Sequence, residues 1–210
     1  MVSKTRDTLL AVAAQLLDEG GPEAVTLREV GHRAGVSHNA PYKHFADKED
    51  LLAAVAAREL DRRSSALSAT VARLRKPGAA VQAVMRGYVA WALEYPQRFK
   101  LVYGSWSKGS DELAAAAGSA RALFTGVVTA AQRVGQLPAG DSERLASLLL
   151  ALSHGAVDLA LAGHLSPTGK GRATPAELAD DLLGYLRAAA QREAGPGHDG
   201  APRASPARPG

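Results

Sequence analysis

TLREVGHRAGVSHNAPYKHFADKEDLL, residues 26–52, is the stretch that decides the fold of this chain. Thr26 precedes an apolar-periodic run and Glu29 follows three residues later, a capping-box spacing that predicts the start of a helix. Gly35 stands where that helix should end, at a position that favours a left-handed residue. Asp47 is placed to cap a later helix. The pattern predicts two short helices joined by a glycine turn and followed at once by a further capped helix.

The middle helix of this stretch, predicted from about His38 to Phe45, has few residues for a core. Ser37 can cap it, and Pro41 should cost at most one terminal hydrogen bond there, so we expect the helix to form. Its other side chains are donors, acceptors, an aromatic ring and a cation, which suit base edges and phosphates. The stretch therefore predicts a helix-turn-helix with an exposed DNA-reading helix. The alternative is a polar, solvated helix face in a small bundle.

This N-terminal quarter closely resembles the DNA-binding domain of the TetR family of bacterial repressors over about fifty residues. The resemblance is carried by Thr26, the turn at 33–37, Tyr42, Phe45 and the pair Lys48-Glu49. It implies that Thr26, Tyr42 and Lys48 contact DNA phosphates. It also implies that the residues facing the DNA groove are His38, Asn39, Pro41, Lys43 and His44. The predicted DNA-contacting residues are Thr26, Arg28, Ser37, His38, Asn39, Pro41, Tyr42, Lys43, His44 and Lys48.

Net charge alone does not carry the DNA interpretation. The whole chain is +4, but residues 1–50 hold six Lys and Arg against eight Asp and Glu, a local balance of −2. Phosphate contacts must therefore come from a few placed cations, hydroxyls and helix N-termini. Lys48 is the clearest case, because a cation in the first turn of a helix is poorly placed for helix stability. A phosphate partner explains its presence better than a random surface charge.

Several classes of protein are disfavoured by the composition. The chain has no Cys, which excludes disulfides and thiolate metal sites and suits a reducing cytosol. The start, MVSKTRDTLL, lacks the apolar run of a signal peptide, and no stretch approaches about 18 uninterrupted apolar residues. No metal-binding helix signature, P-loop or nucleophile elbow is present. We expect a cytoplasmic, non-enzymatic protein without metal, cofactor or membrane partner.

Helical periodicity without strand alternation predicts an all-α fold of about nine helices. The predicted organisation is a three-helix DNA-binding domain at 1–50 and a larger helical effector-binding and dimerisation domain at 51–194. The Gly- and Pro-rich residues 195–210 are predicted to form a disordered tail.

Aromatic residues cluster in the larger predicted domain. Six of the chain's ten Phe, Trp and Tyr residues fall between 88 and 106. Aromatic rings with polar tips suit the wall of a small-molecule pocket, whereas core and hinge packing is the alternative for any one of them. The candidate ligand-binding residues are Tyr88, Trp91, Tyr95, Phe99, Tyr103, Trp106, Phe124, His154 and Asp158.

His154 and Asp158 lie four residues apart on an otherwise apolar helix. They could form a satisfied hydrogen-bonded pair, a ligand or subunit contact, or a metal pair. Their segment and residues 88–104 also resemble the C-terminal domain of a TetR subgroup marked by an aromatic-His-Gly pattern. In this chain Ser153 stands before His154.

A homodimer is expected, because LASLLLALSHGAVDLALA is apolar nearly all round and one helix-turn-helix reads too few base pairs for useful specificity. The TetR resemblance implies dimerisation through the last two long helices. The predicted function is a ligand-responsive transcriptional regulator, a repressor that an unknown small molecule releases from a palindromic double-stranded DNA operator. The alternatives are a constitutive architectural DNA binder without an effector, a regulator that has lost DNA binding, and a helical enzyme.

Overall fold

Eight α-helices and one 3-10 turn, at Pro41–Lys43, make up residues 4–194, the part of the chain that the computed structural model describes. Within this range there is no strand, only an isolated bridge between Ser166 and Gly171. The predicted all-α class is confirmed, while the predicted tail at 195–210 lies outside the described residues. The helices are α1 (Lys4–Ala24), α2 (Leu27–Arg33), α3 (Lys48–Arg73), α4 (Pro77–Glu94), α5 (Pro96–Val102), α6 (Asp111–Arg133), α7 (Ser142–Leu161) and α8 (Pro175–Ala194).

The residues Gly20-Gly21-Pro22 predict the end of the first helix, and α1 is interrupted there. Gly20 and Gly21 leave helical geometry, and Gly21 takes a φ of 69°, a left-handed conformation that glycine adopts without a Cβ clash. Pro22 then starts one further turn that leads into the fully buried Val25. The interruption lets the chain reverse direction before α2.

The first core lies among α1, α2 and the N-terminal half of α3. Apolar spacing in the first helix predicts a buried stripe of Leu9, Leu10, Val12, Ala13, Leu16 and Leu17. All six are buried except Val12, which is partly buried against the same core. Phe45 enters this core from the segment before α3. Each fully buried leucine there stabilises the fold by about 1.5–3 kcal/mol. The buried leucines are Leu9, Leu10, Leu16, Leu17, Leu27, Leu51 and Leu52.

Helix α3 joins the N-terminal core to the rest of the molecule. Asp47 caps it as predicted, accepting from the Asp50 N–H at 2.9 Å, and the Asp50 carboxylate accepts from the Ala46 N–H at 2.9 Å. The helix runs without a break to Arg73 and is buried mainly up to Leu60. Its C-terminal part packs beside α6.

Helix α4 is central to the C-terminal part, where it contacts α6, α7 and α8. Val81, Val128, Leu149 and Leu183, one from each of these helices, are at most 1% exposed. Helix α5 packs against α1 and α3 and also contacts α4. It therefore lies between the N-terminal core and the helices of the C-terminal part. The spacing of Thr174 and Glu177 predicts a capping box at the start of α8, and it forms, since the two residues bond reciprocally.

Two helices are long and apolar enough to cross a membrane by length and composition alone, α6 and α7. Both pack against α4 and against each other in this fold. Core helices of globular proteins pass the same test, so these two helices are weak evidence for a membrane span.

Candidate DNA-binding surface and effector cavity

The start of α2 forms half of the predicted capping box. The Thr26 hydroxyl accepts from the Glu29 N–H at 3.1 Å. The Glu29 carboxylate does not reach back to Thr26. It accepts instead from Arg33 Nε at 2.9 Å, and Arg33 also bonds Glu19 at 2.6 Å. An arginine four residues along the helix thus competes for the carboxylate that a complete box requires.

The turn after α2 has the predicted glycine geometry. Gly35 has a φ of 65°, and the Val36 N–H donates to the Gly31 carbonyl at 3.2 Å. These two features close the C-terminal end of the helix. Val36 packs against the N-terminal core, so the chain leaves the turn toward residue 37 with a fixed direction.

The segment at 37–44 is not the helix that we predicted from His38 to Phe45. It is a turn followed by a single 3-10 turn, and the Ser37 side chain caps nothing in it. Pro41 has no N–H to donate to the Ser37 carbonyl, the bond that would begin an α-helix at this point. That carbonyl accepts from the Ala40 N–H at 2.9 Å instead, which tightens the segment.

The expectation that Pro41 faces the groove is wrong, because its ring is buried against α2. A Cβ on Gly31 would lie only 2.9 Å from the Pro41 Cγ. Gly31 therefore provides the space for Pro41, a role that the sequence reasoning missed. The contact fixes the 3-10 turn against the helix before it.

The remaining predicted reading residues are outside the core. Arg28, Ser37, His38, Asn39 and Lys43 are exposed, and His44 is half-buried. Tyr42 is 50% exposed, and its ring centroid lies 5.8 Å from that of His38. The side chains at 38, 39 and 42 thus form one small exposed cluster, in which His38 Nδ1 lies 3.3 Å from Asn39 Oδ1. This cluster is available to a partner.

Lys48 occupies the first turn of α3, as predicted. Its Nζ lies 3.6 Å from a Glu23 carboxylate oxygen, and the Glu23 side chain is 95% exposed. An ion pair this exposed contributes little to stability. Lys48 can therefore exchange Glu23 for a phosphate at small cost.

A cavity of about 700 Å³ opens among α3, α4, α5, α6 and α7. Five of the nine predicted ligand residues line it: Tyr88, Trp91, Tyr95, Tyr103 and Phe124.

The structure does not bring the other four predicted ligand residues to the cavity wall. Phe99 is 1% exposed in the core, and Trp106 packs against the N-terminal core. His154 lies behind the wall, where its Nδ1 is 2.9 Å from the Tyr88 hydroxyl and its Nε2 is 3.4 Å from Asp158. The pair thus favours the satisfied structural alternative over a ligand contact. Residues 4–194 contain no group of three potential metal ligands.

Sequence reasoning missed the charged residues of the cavity wall, which are Glu59, Arg62, Arg63, Arg98, Arg121 and Glu143. Glu59 and Arg63 are four residues apart on α3. That spacing on a helix facing the aromatic row was the available signal.

Glu59 and Arg98 connect the cavity wall to α1. The Trp91 indole N–H donates to Glu59 Oε1 at 2.8 Å, and Arg98 donates to Glu59 Oε2 at 3.2 Å. Arg98 also makes a two-pronged pair with Asp18 of α1, at 2.9 and 2.5 Å. We call Trp91, Glu59, Arg98 and Asp18 the relay. It is a continuous set of polar contacts from the cavity to the helix that supports the N-terminal core.

The α5–α6 loop makes a second connection, to the start of α3. The Glu49 carboxylate accepts from the Ser107 N–H at 2.7 Å, from the Ser107 hydroxyl at 2.5 Å and from the Lys108 N–H at 3.1 Å. The hydroxyl bond, with these amides, holds the pKa of Glu49 below its ordinary value. Lys108 also pairs with Asp47 and lowers the pKa of that carboxyl. The pKa values of Glu49 and Asp47 are both lowered in the folded state, so both carboxylates stay ionised at neutral pH. Their contacts are lost only when the pH falls below these lowered pKa values.

Helix α2, its glycine turn and the exposed residues of the segment at 37–44, together with a separate helical part that holds a cavity, are the arrangement expected of a helix-turn-helix regulator. Residues 9–55 match the family model of bacterial regulatory proteins of the tetR family. Residues 81–198 match that of the tetracyclin repressor-like C-terminal domain.

Solved structures agree with these matches. A protein of unknown function from Rhodococcus sp. RHA1 is 30% identical, covering 89% of this chain and 95% of that one, with a TM-score of 0.76. A TetR/AcrR family transcriptional regulator from Thermobifida fusca is 21% identical, covering 88% and 97%, with a TM-score of 0.66. FadR from Bacillus subtilis is 13% identical, covering 86% and 97%, with a TM-score of 0.65. No curated protein sequence matches this chain.

The C-terminal match alone spans more than half of the chain, and the Rhodococcus protein is 30% identical over most of it. The chain belongs to the TetR family of bacterial DNA-binding transcriptional regulators.

Proposed function

We propose that this protein is a cytoplasmic repressor that a small molecule in the cavity releases from a palindromic operator. The observation that carries the proposal is the relay, which joins the cavity wall at Trp91 to Asp18 beneath the helix-turn-helix. A ligand that moves Trp91 would change the contacts of Glu59 and Arg98, and with them the position of α1. Coupling of this kind is typically about 1–3 kcal/mol. It requires unequal ligand affinity for the DNA-bound and released states.

The proposed domains are 1–50 for DNA binding and 51–194 for the effector and dimerisation. A homodimer is supported by apolar side chains that the single chain leaves uncovered on its last two helices. Leu148 and Leu159 of α7 are 59% and 49% exposed, and Tyr185 of α8 is 73% exposed. Covering these side chains with a second copy would pair two reading surfaces about a two-fold axis. A two-fold dimer matches a palindromic operator.

An effector is favoured over a constitutive architectural role because the C-terminal part is not filled. The cavity of about 700 Å³ lies within the range of ligand pockets. Two solved neighbours of the same fold hold coenzyme A thioesters: AibR holds isovaleryl coenzyme A together with operator DNA, and Bacillus subtilis FadR holds stearoyl-CoA. We infer a binding role for the cavity and no enzymatic activity.

Selection of bound duplexes from a random-sequence pool tests this function. The proposal expects enrichment of a two-fold symmetric site, since each subunit presents one reading surface. Candidate effectors are then added to the complex with the selected duplex, and one of them should lower the DNA affinity. A pool that shows no enrichment would contradict DNA-binding regulation.

Asn39→Ala is expected to change which sequences are selected. The exposed amide at position 39 can bond an adenine edge bidentately, a contact worth about 1–3 kcal/mol of discrimination against the wrong base. Parallel selections with the parent and the variant would show relaxed preference at one symmetric pair of positions. Identical selected sites would remove Asn39 from base recognition.

Lys48→Ala is expected to weaken binding to all duplexes alike. The loss of one phosphate contact per subunit should flatten the slope of log affinity against log salt by about one unit per contact. Titrations of the selected and a scrambled duplex at four salt concentrations would measure this slope. Glu23→Gln is the matched control: it removes the competing carboxylate, so it should leave the slope intact and strengthen binding. A slope unchanged in Lys48→Ala would exclude the phosphate contact.

A further inference from the structure

Arg63 is a cation in the cavity wall with an aromatic partner. Its guanidinium carbon lies 3.9 Å from the centroid of the Trp91 ring and 5.7 Å from that of Tyr88. Stacking on Trp91 holds the planar group in place while its N–H donors stay free for another partner. The guanidinium is therefore positioned before any ligand enters.

The charge on Arg63 is not neutralised by the chain. Within residues 4–194, no carboxylate lies within 4.0 Å of it and it donates no hydrogen bond. The neighbouring Glu59 already accepts from Trp91 and from Arg98. Burial lowers the pKa of Arg63. Arginine nevertheless keeps its proton under all ordinary conditions.

Three other arginines line the cavity, and each differs from Arg63. Arg62 is exposed to solvent, whereas Arg98 and Arg121 have carboxylate partners. Arg98 pairs with Asp18 and Glu59, and Arg121 pairs with Glu143 at 3.1 Å. Partial burial of a charged arginine without a carboxylate partner costs free energy unless an anion pairs with the guanidinium. No carboxylate among the described residues supplies this anion, so a bound ligand could supply it.

The remainder of the wall is largely apolar. Val84 and Met85 of α4, Phe124 of α6, and Leu149 and Leu150 of α7 all line the cavity. Such a wall suits the hydrocarbon or aromatic body of a ligand, since few polar groups are present to satisfy a polar one. The cavity thus combines one half-buried cation that has no carboxylate partner, Arg63, with a broad apolar surface.

We propose that the effector is an amphipathic organic anion whose acidic group pairs with Arg63 and whose apolar body lies against α4, α6 and α7. This assignment rests on the proposed effector function of the cavity. The acidic group, carboxylate or phosphate, makes charge-assisted hydrogen bonds to the free N–H groups. An occupant paired there lies directly against Trp91, the first residue of the relay.

Two probes with one skeleton test the proposal: neutral N-phenyl-1-naphthylamine, and 1-anilinonaphthalene-8-sulfonate, which adds one anionic group. Both become fluorescent in apolar surroundings. Energy transfer from Trp91 locates the probe, in a Trp106→Phe background that leaves one tryptophan of the two. We expect the full-length protein to prefer the anion by about tenfold or more. Arg63→Gln should lose this preference and keep its affinity for the neutral probe, while Arg63→Lys should retain part of it.

Arg86→Gln is the control, because it also removes one cation, but Arg86 does not line the cavity and pairs with Asp180 of α8. It should leave the preference for the anion unchanged. Displacement of the anionic probe by decanoate and by decyl phosphate then shows which acidic group the site takes. If Arg63→Gln keeps the preference, or weakens both probes equally, the anion site is overturned while the effector cavity stands. If neither probe binds the parent protein, the effector role of the cavity fails as well.

Discussion

Replacing Tyr42 with alanine is expected to lower operator affinity by about 10²–10⁴-fold, because the dimer loses two contacts of about 1.5–3 kcal/mol each. The side chain is half exposed, stands beside His38, and takes no part in the N-terminal core. Its hydroxyl can donate to a phosphate. Fluorescence anisotropy with the selected duplex would measure the loss.

Tyr42→Phe separates the hydroxyl from the ring and should lose part of the affinity. Circular dichroism and the melting temperature should change little in both variants, since Tyr42 leaves the core intact. If Tyr42→Ala binds the operator as the parent does, the reading surface has been assigned to the wrong residues.

Arg98→Met is expected to disconnect the cavity from the DNA-binding part. The variant keeps an unbranched apolar side chain but removes the pairs with Asp18 and Glu59. Loss of one partner from a buried ion pair costs about 3–5 kcal/mol, and we expect about 2–3 kcal/mol in the free energy of unfolding because Asp18 is partly solvated. Effector binding should persist in the variant. In the parent protein the effector should lower the DNA affinity by about 5- to 150-fold, the range of typical coupling. In Arg98→Met the ratio of DNA affinities without and with effector should approach one.

Arg86→Met is the control for this prediction. Arg86 also makes a two-pronged pair with an aspartate, Asp180, but it joins α4 to α8 and its side chain is 59% exposed. Its loss should change the stability little and leave the effector response intact. An Arg98→Met protein that still releases DNA on ligand addition would show that coupling bypasses the relay.

Features set by neighbouring residues were predictable from the sequence. Asp47 and Thr174 cap helices as their spacing predicts, Gly35 takes the left-handed turn, and Gly20-Gly21 interrupt α1. Each depends on a few consecutive residues and on backbone rules that act locally. The aromatic row likewise predicted part of the cavity wall, since residues three and four apart share a helix face.

Features set by distant residues were not predictable in this way. Glu59 is 32 positions from Trp91 and Arg98 is 80 from Asp18, so their pairing depends on how α3, α4 and α5 pack. The burial of Pro41 depends on Gly31, whose missing side chain leaves room for the ring. Neither fact has a signature in local periodicity or composition.

Amide hydrogen exchange of the full-length protein, with and without the selected duplex, tests the central claim most directly, because it shows which residues DNA covers. We expect bound DNA to slow amide exchange at residues 37–44 and in the first turn of α3, and to give no direct protection of α8. Protection that is absent from 37–44 and appears elsewhere on the chain would contradict this expectation.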